Sequence, residues 1–549
     1  QSANTVNSLG TSISFSYQLT WSNTISYESD FGDHTIHALL GEEAIDYYYE
    51  GFTGSRQEFL YEDENFRYLS YGTENQLNSG DASSWALLSF FGKVNYSYLD
   101  KYLFSATIRR DGTSRLSENN WGTFPAFSAG WIISDESFFA IPGVSSMKLR
   151  ASWGMAGNQQ VPVYSTLFSY ENNTYYSNYP IDGAQEASQV GLVQTRVANP
   201  NLKWEVTTQS SVGLDMGLMQ DKVSLTVEYF NKVTDDILIY APIPLTYGGT
   251  SDGTWTNAGQ MKNSGLEVSM GYKNTVGQLN YNLGLNLTAY KNELTKLDGV
   301  SYLGIPSSSL HSVNFDQEIS RTVVGQSIGS FYGYEAIGIF KSPEEIAQYG
   351  LQPNAQPGDL IFKDVTGDGV LDTDDRTIIG SPHPDVILGM NMDFYYKGFD
   401  LALLFNGSFG NEIYNLTKYN THFFNQAAYN KSADLLDAWS EDNQGSDIPR
   451  LTLNDPNNNI RVSSYYVENG SYFKLYNLQL GYTFEKLQSL DLRVYGQVNN
   501  VFTITGYEGM TPEIGLQNYS SSSRNLDIGI DRGIYPPSRT FTLGVNLGF

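Results

Sequence analysis

The end of the chain carries the pattern that most restricts its fold. Phe541, Leu543, Val545, Leu547 and Phe549 alternate with Thr540, Thr542, Gly544, Asn546 and Gly548. Successive side chains of a β-strand point to opposite faces, so this segment builds one apolar face and one small or polar face. That is the pattern of a strand set against lipid. It recurs through Val223, Leu225, Val227 and Tyr229, through Leu266, Val268 and Met270, through Tyr281, Leu283, Leu285 and Leu287, and through Leu478, Leu480 and Tyr482. No apolar run approaches the ~20 residues a helix needs to cross a bilayer, which excludes a helical membrane protein. A barrel wall escapes that test, because its lipid-facing residues are diluted one in two by polar ones.

A water-soluble sandwich also alternates, and connection lengths separate the two. Short links at Ser29 to Gly32, Leu99 to Lys101, Leu218 to Asp221, Asn274 to Gln278, Tyr396 to Gly398 and Glu485 to Leu490 take turns with long polar excursions at 51 to 84, 156 to 202, 234 to 263, 292 to 385, 410 to 470 and 502 to 537. Short turns at one rim and long loops at the other are the asymmetry of outer-membrane barrels, and sandwiches seldom carry many loops beyond ~15 residues. Strands starting near 12, 33, 85, 102, 124, 147, 203, 222, 264, 279, 386, 399, 471, 491 and 538 make roughly fifteen, an all-β transmembrane antiparallel barrel wall over 1-549. An odd count does not close a bacterial single-chain barrel, whose strand number is even, so further strands are expected before Gln1. The strand-like tract Ser330 to Phe340 breaks the parity as a membrane strand and is assigned to a large extracellular excursion spanning 292 to 385.

Composition agrees. Tyr (40), Phe (29) and Trp (8) form 14% of the chain and charged residues only 17%, against roughly 25% charged in an ordinary soluble domain. Cysteine is absent, which removes disulfides, thiolate metal sites and a Cys nucleophile. A net charge of -27 lacks the clustered Lys and Arg that nucleic acid requires; it suits a solvated outer face able to hold divalent cations. Gln1-Ser-Ala-Asn-Thr5 shows no secretion signal, as expected of a processed precursor or of part of a longer chain. A lectin-like soluble β protein is disfavoured by the apolar alternate face of the last strand.

Several tracts in order resemble the SusC/RagA-like TonB-dependent outer-membrane transporters: Lys101-Tyr-Leu-Phe-Ser-Ala-Thr-Ile-Arg-Arg-Asp-Gly-Thr-Ser-Arg115, Phe124-Pro-Ala-Phe-Ser-Ala-Gly-Trp131, Leu149-Arg-Ala-Ser-Trp-Gly-Met-Ala-Gly-Asn-Gln159, Asn199-Pro-Asn-Leu-Lys-Trp-Glu205, Gly358-Asp-Leu-Ile-Phe-Lys-Asp-Val-Thr-Gly-Asp-Gly369, Ile379-Gly-Ser-Pro-His-Pro-Asp385 and Tyr535-Pro-Pro-Ser-Arg539. The resemblance implies a plugged barrel of about 22 strands, of which this chain is the carboxy-terminal part, the amino-terminal plug and first strands lying outside it. It also implies TonB-dependent import of an oligosaccharide or peptide, a SusD-like surface lipoprotein seated over the barrel, and contact with the TonB complex through the amino-terminal part. A non-conducting outer-membrane scaffold in a larger surface assembly is the alternative.

Asp364-Val-Thr-Gly-Asp-Gly-Val-Leu-Asp-Thr-Asp-Asp375 has the spacing of an EF-hand calcium loop. Oxygens fall at Asp364, Thr366, Asp368, Asp372 and Asp375, the Val370 carbonyl stands at the seventh position, and Gly369 sits where the loop must turn sharply. Hard cations take such oxygen arrays, so a structural divalent cation, Ca2+, is expected. Asp at the last position is shorter than the usual Glu, which points to affinity near ~10⁻⁴ M.

Catalysis is not expected. His34, His37, His311, His383 and His422 are scattered, with no HExxH, GxSxG or P-loop pattern. His34 and His37 read as a strand-end pair, His383 as part of a rigid proline turn, and Asp235-Asp236 and Glu42-Glu43 as solvated acids. The aromatic surplus suits girdles at the membrane interface, with Tyr175 to Pro180 and Tyr465-Tyr466 as candidate sugar-stacking surfaces.

Overall fold

The computed structural model describes residues 6–172, 177–180, 188–243, 246, 249–251, 253–304, 318–425, 430–487, 490–516 and 526–548. One antiparallel sheet takes 15 strands in sequence order. They are β1 (Ser8–Phe31), β2 (His34–Phe59), β3 (Gly72–Tyr98), β4 (Tyr102–Thr113), β5 (Trp121–Ile132), β6 (Val144–Asn158), β7 (Glu205–Leu218), β8 (Val223–Asp235), β9 (Gln260–Val276), β10 (Leu279–Lys296), β11 (Val386–Tyr396), β12 (Phe399–Phe409), β13 (Tyr472–Leu487), β14 (Leu490–Thr505) and β15 (Thr540–Gly548). The expected strand count holds. Ser330 to Phe340 stays out of this sheet, as expected: Phe331–Gly333 and Ala336–Ile339 pair instead with the short strands Thr377–Gly380 and Leu360–Phe362. No described helix is long and apolar enough to cross a membrane.

One expected excursion is corrected. Most of 51 to 84 is strand, because β2 continues to Phe59 and β3 begins at Gly72, leaving only 60–71 as connection. β1, β2 and β3 run 24, 26 and 27 residues, more than twice the ~9–11 a tilted strand needs to cross a bilayer. The part of β3 before Leu87 lies beyond its pairing with β4, which ends at Leu87↔Thr113. Hydration of both faces there removes the alternation by which a strand is recognised, so Thr53-Gly-Ser55 and Asn78-Ser-Gly-Asp-Ala-Ser83 look like loop in the sequence.

The chain falls into two compact units, Gln1–Gly130 with Ser152–Thr208 and Asp235–Ala258, and Trp131–Ala151 with Gln209–Thr234 and Gly259–Phe549. In the first, the register of β1 to β4 sorts side chains cleanly. One face carries Ile25, Leu40, Val94 and Ile108, all exposed. Near the short turns the same face carries stacked rings: Phe31 on His34, His34 on Tyr96, and Tyr98 on Tyr102. Eight residues up from Tyr98, Phe90 stacks on Trp121, and the row two residues higher carries the exposed Trp21. At ~3.3 Å per residue and a tilt near ~40°, ten residues rise about 25 Å, the height of the apolar band between the two aromatic girdles of a membrane barrel. Part of the surplus of aromatic rings is thus spent at two levels of one face. The opposite face packs a small core of Leu116, Phe124, Val161, Leu202 and Trp204 under the loops.

In the second unit, Leu285, Met390 and Phe405 share one face of paired strands and Asn286, Gly389 and Asn406 the other. Its largest core lies outside the sheet: Ile319, Phe331, Tyr414, Leu416, Phe423, Val462, Tyr466 and Ile530 draw the three long connections after β10, β12 and β14 into one packed body. In β15, Leu543 is 90% exposed with no protein neighbour to cover it. Arginine there, Leu543→Arg, is expected to cost about 2–4 kcal/mol of folding stability in lipid vesicles, falling toward ~0–1 near either interface. Thr542→Arg on the other face is expected to be tolerated; equal losses in urea unfolding of the two variants would reverse the facing assigned to this strand.

Candidate functional site: a polar sheet face and its loop assembly

Period-2 alternation turns every second side chain of β9 to β15 to one face, and in the second unit that face is a hydrogen-bonded polar lattice. Asn477 donates to Asn499 (2.7 Å), Gln479 to Gln497 (3.1 Å) and Gln497 to Asn499 (3.0 Å). Arg493 forks onto Asp400 and also reaches Gln479 (3.0 Å). Paired amides and a bidentate ion pair keep this wall polar, with Arg493 and Asp400 neutralising each other. Asp393, Asp400, Arg493 and Gln479 line a hollow of about 580 Å3 beside the short turn at Lys397.

The first unit repeats the theme. Arg109 donates to Asp111 (2.8 Å), Glu43 (3.1 Å) and Ser89 (2.8 Å), so Glu43 is an ion-pair partner and not a loose surface acid. Its neighbour Arg110 lies on the apolar face, in register with Phe90. The two arginines of the Ile-Arg-Arg-Asp-Gly tract therefore serve different faces, a consequence of strand period alone.

Above the polar face of the second unit, the loops are tied by charged pairs among their own residues. Asp359, fully buried, accepts from Arg450 (2.7 Å) and Asn459 (2.9 Å). Lys418 reaches Glu468 and Glu508, each at 2.8 Å. Lys474 pairs with Glu513, and the Tyr507 hydroxyl donates to Asp531 (2.6 Å). Removing one member of such a buried pair strands the other, so these pairs fix which loop lies against which. Their spacing in sequence carries no local signal, and none was identifiable there.

The six residues of the calcium-loop pattern lie in one tight turn. Asp364 accepts from the amides of Gly367 (2.6 Å) and Gly369 (3.0 Å), and Gly369 has φ +82°, the left-handed turn expected of it. Asp368 accepts from Val370 (2.9 Å) and Asp372 from Asp374 (2.8 Å). Asp375 is buried and accepts from Val365, Thr366 and Asp372. Thr366 donates its hydroxyl to both Asp364 and Asp375, each at 3.2 Å. Every side-chain donor is a hard oxygen, the chemistry a Ca2+ site uses. As folded, the carboxylates are satisfied by backbone amides, and among the described residues no three acidic or imidazole groups converge as ligands. Burial alone would raise the Asp375 pKa, but its backbone hydrogen bonds outweigh that and hold it below the ordinary carboxylate value.

The remaining sequence candidates separate. His34 hydrogen-bonds Tyr96 (2.8 Å) within the girdle, and His37 pairs opposite Asn95 on the other face, so they share no site. His383 contacts the Ile328 carbonyl (3.0 Å). Tyr466 is no stacking platform: it is fully buried, its hydroxyl on the Ile460 carbonyl (2.8 Å), with Tyr465 edge-on against it. Tyr175, Tyr176 and His311 lie outside the described residues.

The chain matches the family described as TonB dependent receptor-like, beta-barrel, over residues 1–501. It belongs to that family. It is 36% identical over 540 residues to TonB-dependent receptor P3 of Formosa agariphila, covering 96% of this chain and 52% of that protein. With the TonB-dependent receptor SusC of Bacteroides thetaiotaomicron it shares 29% identity, covering 97% of this chain and 50% of SusC. The structure of the RagAB peptide transporter superposes with a TM-score of 0.81 at 25% identity, covering 99% of this chain and 57% of that chain. The chain spans about half the length of the curated relatives it matches. These are outer-membrane β-barrel receptors of the SusC/RagA type and not enzymes. The apolar face of this family member is its lipid face, and the polar lattice faces the barrel interior.

His422 supplies a pH test of the loop assembly. Burial lowers its pKa, helped by the Lys418 charge and opposed by Asp434 and Glu508; its Nδ1 contacts the Tyr465 hydroxyl (2.7 Å). A lowered pKa means the folded loops bind this proton less readily than the unfolded chain does, so the contribution is intact above the ordinary imidazole value and is lost as pH falls through the lowered one. Amide-exchange protection around 417–423 and 465–467 is expected to fall as pH drops below about 6.5, the ordinary imidazole value. His422→Gln should flatten that fall; an unchanged profile in the variant would assign it to another group.

Proposed function

We propose that the receptor carrying this chain imports a nutrient, an oligosaccharide or a peptide, across the bacterial outer membrane, with energy delivered through TonB. The observation that carries the reading is the two-faced wall: an apolar face for lipid backed by a hydrogen-bonded polar face, rich in amides and with Arg493 paired to Asp400, along which a hydrophilic solute can pass. The loop assembly over the second unit is large enough to take part in capture, and a SusD-like surface lipoprotein is the partner proposed to cover the loop rim. That a similar solved structure is described as a peptide transporter keeps peptides beside oligosaccharides as substrates.

The test is uptake of labelled oligosaccharide and peptide mixtures by cells with the receptor gene intact, deleted, or intact but lacking TonB. Loss of uptake of one substrate class in both mutants is the expected result. Uptake that persists in both would favour the non-conducting scaffold.

We also propose that the turn from Asp364 to Asp375 takes a structural Ca2+ through Asp364, Thr366, Asp368, the Val370 carbonyl, Asp372 and Asp375, stiffening an exposed loop. Calorimetric titration of the receptor with CaCl2 is expected to give one binding event near ~10⁻⁴ M that is absent from a double variant, Asp368→Asn with Asp372→Asn. Equal heats from the two proteins would remove the site.

A further inference from the structure

The apolar face of the first unit is not uniform. At the upper girdle lies an open groove of about 830 Å3 bordered by Trp21, Asp46, Leu88, Gly112 and Trp121. Trp21, Ala44, Leu88 and Gly112 stand in one cross-strand row; Ala44 keeps the floor low beside Trp21, and the Trp121 ring takes the place above Gly112. A Cβ on Gly112 would come within 2.8 Å of the Trp121 ring, so glycine is what lets that ring lie down along the groove. Trp21 is 69% exposed and Trp121 42%.

Charge marks the two sides of the hollow. Arg110 stands one row nearer the membrane, its guanidinium 5.3 Å from the Trp121 ring centre. Among the described residues no carboxylate pairs with it, whereas Arg109 beside it has three partners. A cation left unpaired on the lipid face of a chain with net charge -27 is costly unless it reaches the interface or meets an anion there. Asp46 lines the opposite edge, where it can accept from hydroxyl groups. Glu42, in the row of Arg110, is engaged by Asn23 (3.2 Å).

The geometry points to a binding site for a phosphorylated, multiply acylated sugar lipid of the outer leaflet. Its phosphate would sit on Arg110, its sugar rings on the exposed faces of Trp21 and Trp121 with hydroxyls toward Asp46, and its chains would run down the apolar band past Phe90, Val94 and Ile108. Height and width both favour a sugar headgroup. The groove lies about 25 Å above the lower girdle, at headgroup level. It reaches from β1 to β5, four strand spacings of ~4.8 Å or about 19 Å, a width for a headgroup larger than that of a single glycerophospholipid. Aromatic faces with a neighbouring acceptor are the usual footing for sugar rings.

Native mass spectrometry of the full-length receptor in detergent tests this with equimolar monophosphorylated lipid A and phosphatidylglycerol. The wild type is expected to retain one lipid A in preference to phosphatidylglycerol. Arg110→Gln is expected to lower that retention about fivefold, the weight of one basic contact at a membrane surface, and Trp121→Ala to lower it further. Lys397→Gln, which removes a cation 5.5 Å from the Tyr396 ring beside a short turn of the second unit, should leave it unchanged. Heat-modified gel mobility reports that each variant is folded. Equal retention of both lipids, or equal losses from Arg110→Gln and Lys397→Gln, would reduce the groove to ordinary annular lipid contact and overturn the assignment. Uptake is not read in this experiment, so its outcome is independent of the transport proposal.

Discussion

A polypeptide inside a bilayer has no water to satisfy its amides, and that requirement organises everything else in this chain. Each unpaired backbone group in hydrocarbon costs several kcal/mol, so the membrane portion must be strand paired to strand in an unbroken series. The 15 strands pair strictly with their sequence neighbours, the topology that leaves the fewest crossings and the shortest turns at one rim. Once the backbone is committed in this way, the side chains inherit a period of two. One residue in two meets lipid and the other meets the interior, and the sequence is free to specialise each set separately. Arg109 and Arg110 show how sharp this division is: adjacent in sequence, one is held by two carboxylates and a hydroxyl on the polar face, and the other lies on a tryptophan ring at the lipid face.

The loops obey a different physics. They are not stabilised by the bilayer, and they fold by building cores of their own. Tyr414 and Tyr466 stack in the largest of these, both fully buried, and buried charged pairs such as Asp359 with Arg450 add direction to what apolar packing alone leaves loosely specified. Burial pushes both tyrosine hydroxyls well above their ordinary pKa, which favours their neutral form in this core. Such a body can move or hold its shape as a unit, which a set of separate flexible loops cannot.

The sequence disclosed the wall far more fully than the loops, and the reason lies in the two kinds of pattern. Alternation in Phe541 to Leu547 is local: each residue's partner in the argument is two positions away, and turn residues such as Gly32, Gly277 and Gly398 with φ from +63° to +82° mark where a strand reverses. The hydrated ends of β2 and β3 escaped notice because water on both faces imposes no period. Tyr465 and Tyr466 read as exposed platforms because nothing within a few positions reveals that Tyr414, some fifty residues earlier, will stack on Tyr466 and that Phe423 will pack edge-on against Tyr465. The calcium-loop pattern lies between these cases. Its turn at Gly369 and the convergence of backbone amides on Asp364 and Asp375 follow from local spacing, whereas the affinity of the loop for an ion depends on groups whose final aim the spacing leaves open.

The same division explains why an unusual residue on the wall is more informative than one in a loop. A loop tyrosine has many possible neighbours, and its burial can be decided by any of them. A wall residue has its depth and its facing set by counting from the nearest turn, so a departure from apolar chemistry on the lipid face stands out against a fixed background. Asn23, Glu42, Asp46 and Arg110 are such departures, and they gather around the upper girdle and not along the apolar band between Tyr98 and Phe90. Polar groups are tolerated at that level because headgroups and water reach it. Gathering them around a hollow floored by Ala44 goes beyond tolerance, since a larger apolar residue there would make a smoother fit to fluid lipid. At Gly112 the Trp121 ring already takes the space a side chain would fill, so Ala44 is the small residue beside which an occupant with a shape of its own would sit.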